Sequence, residues 1–477
     1  MAEKIKSWFI NQKLTLGNGC VLLCCLIVIC MHPFLLVYTK NVTTATFLDV
    51  ILATFKMVSI ALLFFMISLI FRLIVVKSAV FSMFSVLWFT NYINFESFIY
   101  SIIPTWKYWH IIPLYLILLL FVLTIIKYVG TNRAYFESAK ILGAAFFALS
   151  VMNVVLAAPN IIEKIMYQPP KNNVENNTIY HETGEFTKDI SNVYYIILDE
   201  YTRPDLQKEY FGIDASDFIN TLKSLGFNYS ASSKSSAPFT TYSVGNNLSY
   251  SIEFIDEITP AYEFHYIINN RDVPIFSLFK EKGFSIVATN YLPFVTNSSL
   301  VDKLIKLKEL DQLSLYKTAL DKSIFVRLQT PGYSEWKFYN AIFDNLERYI
   351  DIEGAEHRFA FVHLAQPHSP YIFDETGKLT PGYLQMDVSA YSGQLLYVTK
   401  RIQEILTSLV KNDPNCIIIL QSDHGMREYA RSYEEKLCVL NALYFRGEVL
   451  DIEGLGTVDT IRLTLNEMFN LKLEIGK

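Results

Sequence analysis

The sequence predicts a membrane-anchored α/β protein, in which five transmembrane helices precede an extracytoplasmic α/β/α domain with a mostly parallel sheet. Hydrophobic residues make up 52% of the 477-residue chain, which is more than a soluble protein usually contains. This apolar excess lies in long segments within the first third of the chain. Beyond them, short apolar runs alternate with helical patterns, which is typical of a parallel sheet covered by helices on both faces.

Five segments are predicted to cross the membrane, each near or above the roughly 20 residues that a spanning helix requires. They are residues 17–38, 47–76, 80–103, 111–130 and 138–158. Arg72 and Lys77 alone separate the second segment from the third. A signal peptide would be one short apolar stretch before a cleavage site, so this series of long stretches indicates a transmembrane domain over residues 1–158.

Basic residues near the ends of these segments predict the orientation. Lys4, Lys6, Lys13, Arg72, Lys77, Lys127, Arg133 and Lys140 fall on one side, whereas Lys40, Lys107, Lys164 and Lys171 fall on the other. Positive charge accumulates on the cytoplasmic side of membrane proteins, so the first group places the N-terminus in the cytoplasm. Five crossings then place the rest of the chain outside, and four or six would place it inside.

Charge and cysteine content exclude two classes of protein. The formal net charge is -5 at pH 7 and no basic run occurs, which argues against a nucleic-acid-binding protein. Of the six cysteines, four lie in the first predicted span and only Cys416 and Cys438 lie in the outer domain. The sequence therefore does not predict a disulfide framework.

The predicted outer region begins with a polar juxtamembrane linker, residues 159–191. The domain that follows is predicted over residues 192–477. Its strands are expected at 192–198, 284–290, from Phe359 into a loop that ends at His368, and at 416–422, with a mostly helical region at 298–352 and an amphipathic helix at 388–410.

Residues with metal-binding side chains follow these apolar strands. The clearest example is the run Cys416-Ile-Ile-Ile-Leu-Gln-Ser-Asp423-His424-Gly425, and Asp199-Glu200 follows the first strand in the same way. Because the carboxyl ends of parallel strands meet at one edge of a sheet, we expect these groups to converge where α/β folds bind their ligands. Oxygen and imidazole ligands suit a divalent metal ion, and a buried group of acids without a cation would be costly.

A hydroxyl group completes the predicted site. Thr240 follows Pro238 at the expected start of a helix, where the amide groups and the helix dipole favour an alkoxide and an incoming phosphate. Thr241 and Ser243 compete for the same role, although such hydroxyls commonly serve only to satisfy the first amides of a helix.

With these residues, the chain from about residue 190 to 470 resembles the alkaline phosphatase/sulfatase superfamily. The resemblance is strongest to its membrane-anchored members, the phosphoethanolamine transferases of lipid A and the lipoteichoic acid synthases. Four motifs carry it in order: Asp199-Glu200-Tyr-Thr-Arg203-Pro-Asp205, Thr240-Thr-Tyr-Ser-Val, His363-Leu-Ala-Gln-Pro-His368-Ser-Pro and Ser422-Asp423-His424-Gly425. By this resemblance the fold is alkaline phosphatase-like and Thr240 is the nucleophile.

The sequence also departs from these families. It contains no Cys-x-Pro-x-Arg motif, so the formylglycine nucleophile of true sulfatases cannot form. No histidine follows His424, and the several disulfides of the phosphoethanolamine transferases are missing. The identity of the transferred headgroup therefore stays open.

The resemblance implies one divalent metal ion, Zn or Mn, with a second left open. Its expected ligands are Asp199, Glu200, Thr240, Asp423 and His424, with Asp199 preferred to Glu200 as the first carboxylate. His368 is expected to stabilise or protonate the phosphoryl group, and Arg203 and Arg427 are candidates for substrate binding, although Arg203 is equally suited to pair with Asp205. His363 is interpreted as a packed strand residue.

The implied function is a phosphotransferase of the bacterial inner membrane, with its catalytic domain on the periplasmic or extracellular side. It would move a phospholipid-derived phospho-headgroup, through a phospho-threonine intermediate, onto a cell-surface glycan or lipid. The alternative is a phosphodiesterase or phosphomonoesterase that uses water at the same site. A third reading, a non-enzymatic binding module, is disfavoured because every ligand type is retained.

Overall fold

The structure is a computed structural model and describes residues 15–40, 46–103, 105–166, 191–252, 273–289, 292–296, 298–305, 322–325, 333–380 and 388–476. The chain divides into two compact units. The first comprises residues 1–167 and 312–331, and the second comprises residues 168–311 and 332–477.

The first unit is helical. Its helices are α1 (Leu16–Lys40), α2 (Phe47–Ile70), α3 (Val75–Phe89), α4 (Tyr92–Ile102), α5 (Tyr108–Tyr128) and α6 (Asn132–Met166). Four of these, α1, α2, α5 and α6, are long and apolar enough to cross a membrane. The chain therefore carries a membrane region of the kind that the sequence predicts, with four long apolar helices in the described part of the chain.

The third predicted span is wrong as a single helix. Residues 80–103 are divided between α3, of 15 residues, and α4, of 11, with a break after Phe89. The second predicted span is also shorter than expected, because α2 ends at Ile70 and Arg72 adopts a left-handed backbone with φ 62°. Neither α3 nor α4 alone has the roughly 20 residues needed to cross the hydrocarbon core.

Helices α1 and α6 approach each other closely at a glycine. A Cβ atom on Gly143 of α6 would lie 2.5 Å from Cys25 Sγ and 3.2 Å from Cys25 Cα on α1. Small residues permit such backbone approaches between helices in membranes. His32 of α1 also contacts α6, with its Nδ1 3.0 Å from Ser150 Oγ.

A short piece of the later sequence belongs to this first unit. The Ile93 amide donates a hydrogen bond to the Lys322 carbonyl at 3.2 Å, and the rings of Phe89 and Phe325 pack edge to face with centroids 5.1 Å apart. Ile324 packs against the aromatic cluster around Tyr92. The chain thus returns to the helical unit between two segments of the second unit.

The second unit contains an α/β sheet. Its elements are β1 (Asn192–Leu198), α7 (Pro204–Phe211), α8 (Ser216–Ser224), β2 (Asn228–Tyr229), α9 (Thr240–Leu248), α10 (Pro274–Glu281), β3 (Ser285–Thr289), α11 (Pro293–Thr296), β4 (Lys303–Ile305), α12 (Tyr333–Ile350), β5 (Arg358–Leu364), α13 (Val388–Asn412), β6 (Ile417–Ser422), α14 (Tyr433–Lys436), β7 (Asn441–Phe445) and α15 (Thr457–Phe469).

The strands of the described residues form one mixed sheet in the order β2-β7-β6-β1-β5-β3-β4. The strands from β6 to β4 run parallel to one another, whereas β7 is antiparallel to β6 and to β2. The mostly parallel sheet predicted from the sequence therefore describes the centre but not this edge. Because β1 is covered on both faces, all seven of its residues are buried and its sequence shows no polar alternation.

Two predicted boundaries differ from the structure. Helix α6 continues to Met166, so the first residues of the predicted 159–191 linker are helical, and residues 167–190 lie outside the described residues. The predicted helical region 298–352 contains strand β4 and helix α12, and its residues 306–321 and 326–332 also lie outside the described part.

Candidate active site

The site lies where three neighbouring strands end together. Leu198 at the end of β1 is in register with Leu364 of β5 on one side and with Ser422 of β6 on the other. Asp199 and Asp423 are therefore the first residues beyond two adjacent strands, and both are fully buried. Parallel pairing brings them together although they are far apart in the sequence.

Asp199, His363 and Asp423 have ligand atoms within 4.8 Å of one another. Neither carboxylate oxygen of Asp199 has a partner within hydrogen-bonding distance among the described residues, and neither does Asp423 Oδ2. The nearest imidazole nitrogens, Nε2 of His363 and of His424, are each 3.7 Å from an Asp199 oxygen. Because buried carboxylates are costly without a partner, this donor set fits a divalent cation.

Charge explains the protonation state of Asp199. Burial alone raises the pKa of this carboxyl group, but the neighbouring imidazole groups of His363, His424 and His368 outweigh that effect and lower the pKa to about 2. Asp199 is therefore the ionised form that a metal ion requires.

His424 directs one ring nitrogen into the cluster. Its Nδ1 lies 2.8 Å from the Gly425 carbonyl oxygen, which can only accept a hydrogen bond, so Nδ1 carries the proton. Nε2 is then available as a lone pair, 3.4 Å from Asp423 Oδ2. This arrangement is typical of a metal-binding histidine, whose other nitrogen is fixed by a carbonyl group.

The Thr240 hydroxyl group, at the start of α9, lies close to His424 Nε2. Thr240 is the first residue of α9, and its Oγ1 is 3.2 Å from His424 Nε2. Phe239 precedes the helix and supplies no side-chain cap, so the helix presents its N-terminal end next to this hydroxyl. By contrast, Ser243 is buried and donates its hydroxyl proton to the Thr240 carbonyl at 3.3 Å.

Glu200 faces a different set of residues from Asp199. Its backbone is left-handed, with φ 62°, and its amide donates to Asp423 Oδ1 at 3.0 Å. Its Oε1 accepts the Arg427 amide at 3.0 Å, and its Oε2 lies 3.9 Å from His368 Nε2. Burial and the neighbouring Glu428 raise the pKa of Glu200 to about 9.

Arg427 connects this second group to the start of α9. Its Nη2 donates to His368 Nε2 at 2.9 Å, and its guanidinium carbon lies 5.6 Å from the centre of the Phe239 ring. The second nitrogen of His368, Nδ1, contacts the Ser369 carbonyl, so the imidazole is held at both ends.

Arg203 forms its hydrogen bonds with residues outside these two groups. It donates to both carboxylate oxygens of Asp205, each at 2.8 Å, and to the Ser233 carbonyl at 3.2 Å. The structure thus groups Asp199, His363, Asp423, His424 and Thr240 around one point and Glu200, His368 and Arg427 around another. His363 is the residue that sequence reasoning left out of the first group.

The chain is similar to a known protein family in sequence and to solved structures in fold. The family model described as sulfatase matches residues 191–452. No curated protein matches the sequence. The integral membrane lipooligosaccharide phosphoethanolamine transferase A of Neisseria meningitidis is 12% identical, with a TM-score of 0.41, and the match covers 94% of this chain and 95% of that one.

Two other solved structures are similar over a smaller share of the chain. The zinc complex of the C-terminal periplasmic domain of EcEptC from Escherichia coli is 12% identical, with a TM-score of 0.40, and the match covers 60% of this chain and 85% of that chain. The lipoteichoic acid synthase LtaP of Listeria monocytogenes is 10% identical, with a TM-score of 0.40 and coverage of 60% and 74%. Because the family model covers more than half of the sequence, the chain belongs to the sulfatase family.

Proposed function

We propose that this protein is a metal-dependent membrane phosphotransferase, which moves a phospholipid-derived phospho-headgroup onto a cell-surface glycan or lipid. The observation that carries the proposal is the position of the Thr240 hydroxyl at the start of α9. It lies 3.2 Å from His424 Nε2 and beside carboxylate oxygens that lack hydrogen-bond partners among the described residues. A nucleophilic hydroxyl, an anion-binding helix end and a cation site are the parts that phosphoryl transfer requires.

The residues that would hold a divalent ion, Zn or Mn, are Asp199, Asp423, His424 and Thr240, to which we add His363. When bound, such an ion would lower the pKa of the hydroxyl group and neutralise charge on the phosphate. Glu200 is a less suitable ligand, because Oε1 already accepts the Arg427 amide. We assign Glu200 the role of holding Arg427.

Thr240 and Arg427 are the residues that would act on the phosphate group directly. The Thr240 oxygen attacks phosphorus, a phospho-threonine bond forms, and the bond from phosphorus to the diacylglycerol oxygen breaks. The proton lost by the Thr240 hydroxyl balances the proton gained by the diacylglycerol oxygen, which leaves as an alcohol. The hydroxyl of the acceptor then attacks the same phosphorus, the phospho-threonine bond breaks, and the proton of the acceptor balances the one regained by the Thr240 oxygen. Arg427, positioned by His368 and Glu200, is suited to bind the phosphate oxygens during both steps. Because both ring nitrogens of His368 are already hydrogen-bonded, we assign it this positioning of Arg427 in place of the direct stabilisation or protonation of the phosphoryl group expected from the sequence.

The helical unit supports the proposal that the donor is a phospholipid of the membrane. Four apolar helices of spanning length would keep the enzyme in the membrane that supplies the phospholipid. From the family resemblance we infer a protein of the bacterial inner membrane. From the distribution of basic residues we infer that its N-terminus lies in the cytoplasm and its sulfatase domain on the periplasmic or extracellular side.

The test is the intact mass of the full-length protein, purified in detergent and incubated with metal and mixed bacterial phospholipids. We expect a mass increment on the wild type that is absent from Thr240→Ala, and the size of the increment identifies the transferred group. Thr240→Ser is the matched control, since it retains the hydroxyl group.

Two other outcomes would overturn the proposal. Release of phosphate or headgroup without any increment would favour a hydrolase that uses water as the acceptor. No increment, no release and no bound metal would exclude an enzyme of this kind.

A further inference from the structure

A buried polar network lies beneath the candidate site, on the face of the sheet covered by α9 and α15. Its members are Tyr195, Asn247, Gln421, Asn441, Thr457, Thr460 and Ser233, each of which is fully or almost fully buried. Protein interiors seldom contain so many polar side chains, and those that occur there must be hydrogen-bonded.

The hydrogen bonds of this network form a continuous chain of donors and acceptors from Thr457 through Asn247 and Tyr195 to Gln421. Asn247 Nδ2 donates to the Tyr195 hydroxyl at 2.9 Å, and that hydroxyl donates to Gln421 Oε1 at 2.9 Å. The Thr457 hydroxyl donates to Asn247 Oδ1 at 2.9 Å. Both polar atoms of the Asn247 side chain are therefore engaged, one with strand β1 and one with the start of helix α15.

The network continues from Gln421. Its Nε2 donates to Asn441 Oδ1 on β7 and to the Thr457 carbonyl, each at 3.0 Å. Asn441 Nδ2 then donates to Ser233 Oγ at 3.0 Å and to Thr460 Oγ1 at 2.7 Å. None of these side-chain atoms lacks a hydrogen-bond partner.

Each of the three central members shares an element with a residue of the candidate site. Tyr195 lies on β1, which delivers Asp199, and Gln421 lies on β6, which delivers Asp423. Asn247 lies two helical turns after Thr240 on α9, and a spacing of seven residues places both on the same face of a helix. The network therefore joins the element that carries the hydroxyl to the two strands that carry the carboxylates.

Apolar packing alone would not fix α9 along its axis. Val244 and Leu248 of α9 are fully buried, but hydrophobic contact is not directional and permits a helix to slide by a fraction of an ångström. Hydrogen bonds depend on both distance and angle, so the two bonds of Asn247 define one position for the helix. The distance from Thr240 Oγ1 to the cluster depends on that position.

We propose that Asn247, through Tyr195 and Thr457, is a positioning residue that sets the distance between Thr240 and the carboxylates of β1 and β6. This inference rests on the proposed nucleophilic role of Thr240. It assigns the network no contact with the substrate or the metal ion. Its effect is on the rate of the Thr240 reaction and not on the retention of the ion.

The test compares Asn247→Leu and Tyr195→Phe in the full-length protein. Both remove the hydrogen bond between α9 and β1, and we expect each to slow formation of the Thr240 adduct by tenfold to about a hundredfold, the loss that follows a misplacement of about 1 Å. Bound metal should remain close to the wild-type level, because the four other proposed ligands, Asp199, Asp423, His424 and His363, stay in place. Because both variants remove the same bond between α9 and β1, the double variant should be slowed by less than the product of the two single effects.

A second readout needs no catalysis. In the metal-loaded protein without donor, amide hydrogen exchange over residues 240–248 should be faster in both variants than in the wild type. Tyr444→Phe is the matched control, since it removes a hydroxyl that bonds to the Pro414 carbonyl at 2.9 Å, far from α9 in the sequence. It should change neither the exchange nor the adduct rate.

The results separate this inference from the proposed function. Wild-type protein that forms no adduct would overturn the function, while the exchange over residues 240–248 would still decide whether Asn247 holds α9. Variants with wild-type exchange and wild-type adduct rates would overturn the positioning role, as would a loss of bound metal in step with activity. If Asn247→Leu does not fold, Thr457→Val, which removes only the donor to Asn247 Oδ1, replaces it.

Discussion

At the scale of single residues, Asp423 shows how one carboxylate can serve two purposes. Oδ1 accepts the amides of Glu200 and His424, at 3.0 and 2.8 Å, and so holds the two strand ends together. Oδ2 is buried without a hydrogen-bond partner among the described residues. An asparagine at this position preserves the first role and removes the second.

Asp423→Asn should therefore fold but lose its metal ion. For the wild type, adding a chelator should lower the free energy of unfolding by about 2.7 kcal/mol if the ion was present at about 100 times its Kd. For Asp423→Asn the thermal midpoint should be the same with and without chelator. Asp374→Asn is the matched control and should respond as the wild type does, whereas a chelator response in Asp423→Asn would contradict its role as a ligand.

The pair formed by Arg203 and Asp205 predicts a pH dependence. Burial alone raises the pKa of Asp205, but the hydrogen bonds from Arg203 outweigh it, so the pKa falls below its usual 3.8. A carboxyl group with a lowered pKa stabilises the fold above 3.8 and loses this contribution as the pH falls through its folded-state value. Asp205→Asn should be less stable than the wild type at pH 7, by at most about 1 kcal/mol because Asp205 is half exposed.

Denaturant unfolding of the metal-free protein, at pH 7 and at a pH below 3.8, measures the difference in stability between Asp205→Asn and the wild type. It should shrink as the pH is lowered below 3.8, since protonated Asp205 no longer attracts Arg203. An equal difference at pH 7 and at acid pH would show that the ion pair is not its cause. A selective loss of substrate affinity in Arg203→Ala, with unchanged stability, would instead identify Arg203 as a phosphate ligand.

The candidate site was only partly predictable at this scale. Asp423-His424 and Asp199 could be found because each follows a long apolar strand. His363 lies within strand β5, which is buried on both faces, so its surroundings in the sequence are those of any core residue. Its role depends on the pairing of Ile197 with His363 across β1 and β5, which no local pattern specifies.

At the scale of elements, Gly425 allows two loops to meet beside the site. A Cβ atom there would lie 2.7 Å from the Cys438 carbonyl oxygen and 2.8 Å from that of Glu435. The Gly425 amide also donates to the Lys436 carbonyl at 2.7 Å, so the two backbones are in direct contact. A side chain at position 425 must therefore displace either the turn at 435–438 or His424.

Gly425→Ala should destabilise the protein by about 1–3 kcal/mol, as overpacking commonly does. It should also weaken metal binding, because the Gly425 carbonyl orients His424. Thermal unfolding and metal titration measure the two effects. Gly17→Ala is the control, since a Cβ at Gly17 meets no atom within 4 Å; equal effects of the two substitutions would contradict this account.

The elements themselves were predicted unevenly. Buried strands such as β1 and β6 were predicted because each is a short apolar run. The start of α9 was predicted because Pro238 precedes it. The break between α3 and α4 escaped prediction because no glycine or proline marks it, although Thr90 and Asn91 interrupt the apolar run there. Strand β7 was not predicted, and its antiparallel direction could not be read from the sequence, because direction within a sheet is set by pairing with neighbouring strands and not by composition.

At the scale of the whole molecule, the number of membrane crossings determines the side on which the sulfatase domain lies. By length, α3 rises about 22 Å and α4 about 16 Å, so each alone is shorter than the hydrocarbon core of about 30 Å. The two in series are long enough for one bent crossing. Together with the four long helices, such a pair would give the five crossings that the proposed orientation requires.

Single cysteines in a variant without the six native ones test this topology. An impermeant maleimide applied to intact cells should label Lys107→Cys, and it should label Arg72→Cys only after the membrane is opened. Asn91→Cys, between α3 and α4, should be protected in both cases because it lies within the bilayer. Labelling of Asn91→Cys from either side would mean that α3 ends at a membrane surface, and the inferred side of the domain would be wrong.

The strand order has a consequence for the biosynthesis of the protein. Strand β1 is made first but lies between β5 and β6, and its first hydrogen-bonded partner, Arg358, is 166 residues beyond Asn192. At about 5–20 residues per second, the ribosome needs roughly 10–30 s to supply that partner. During this time an apolar strand with two unpaired edges has left the ribosome, which makes the nascent chain a natural client for chaperones, and the candidate metal-binding cluster is among the last features to form.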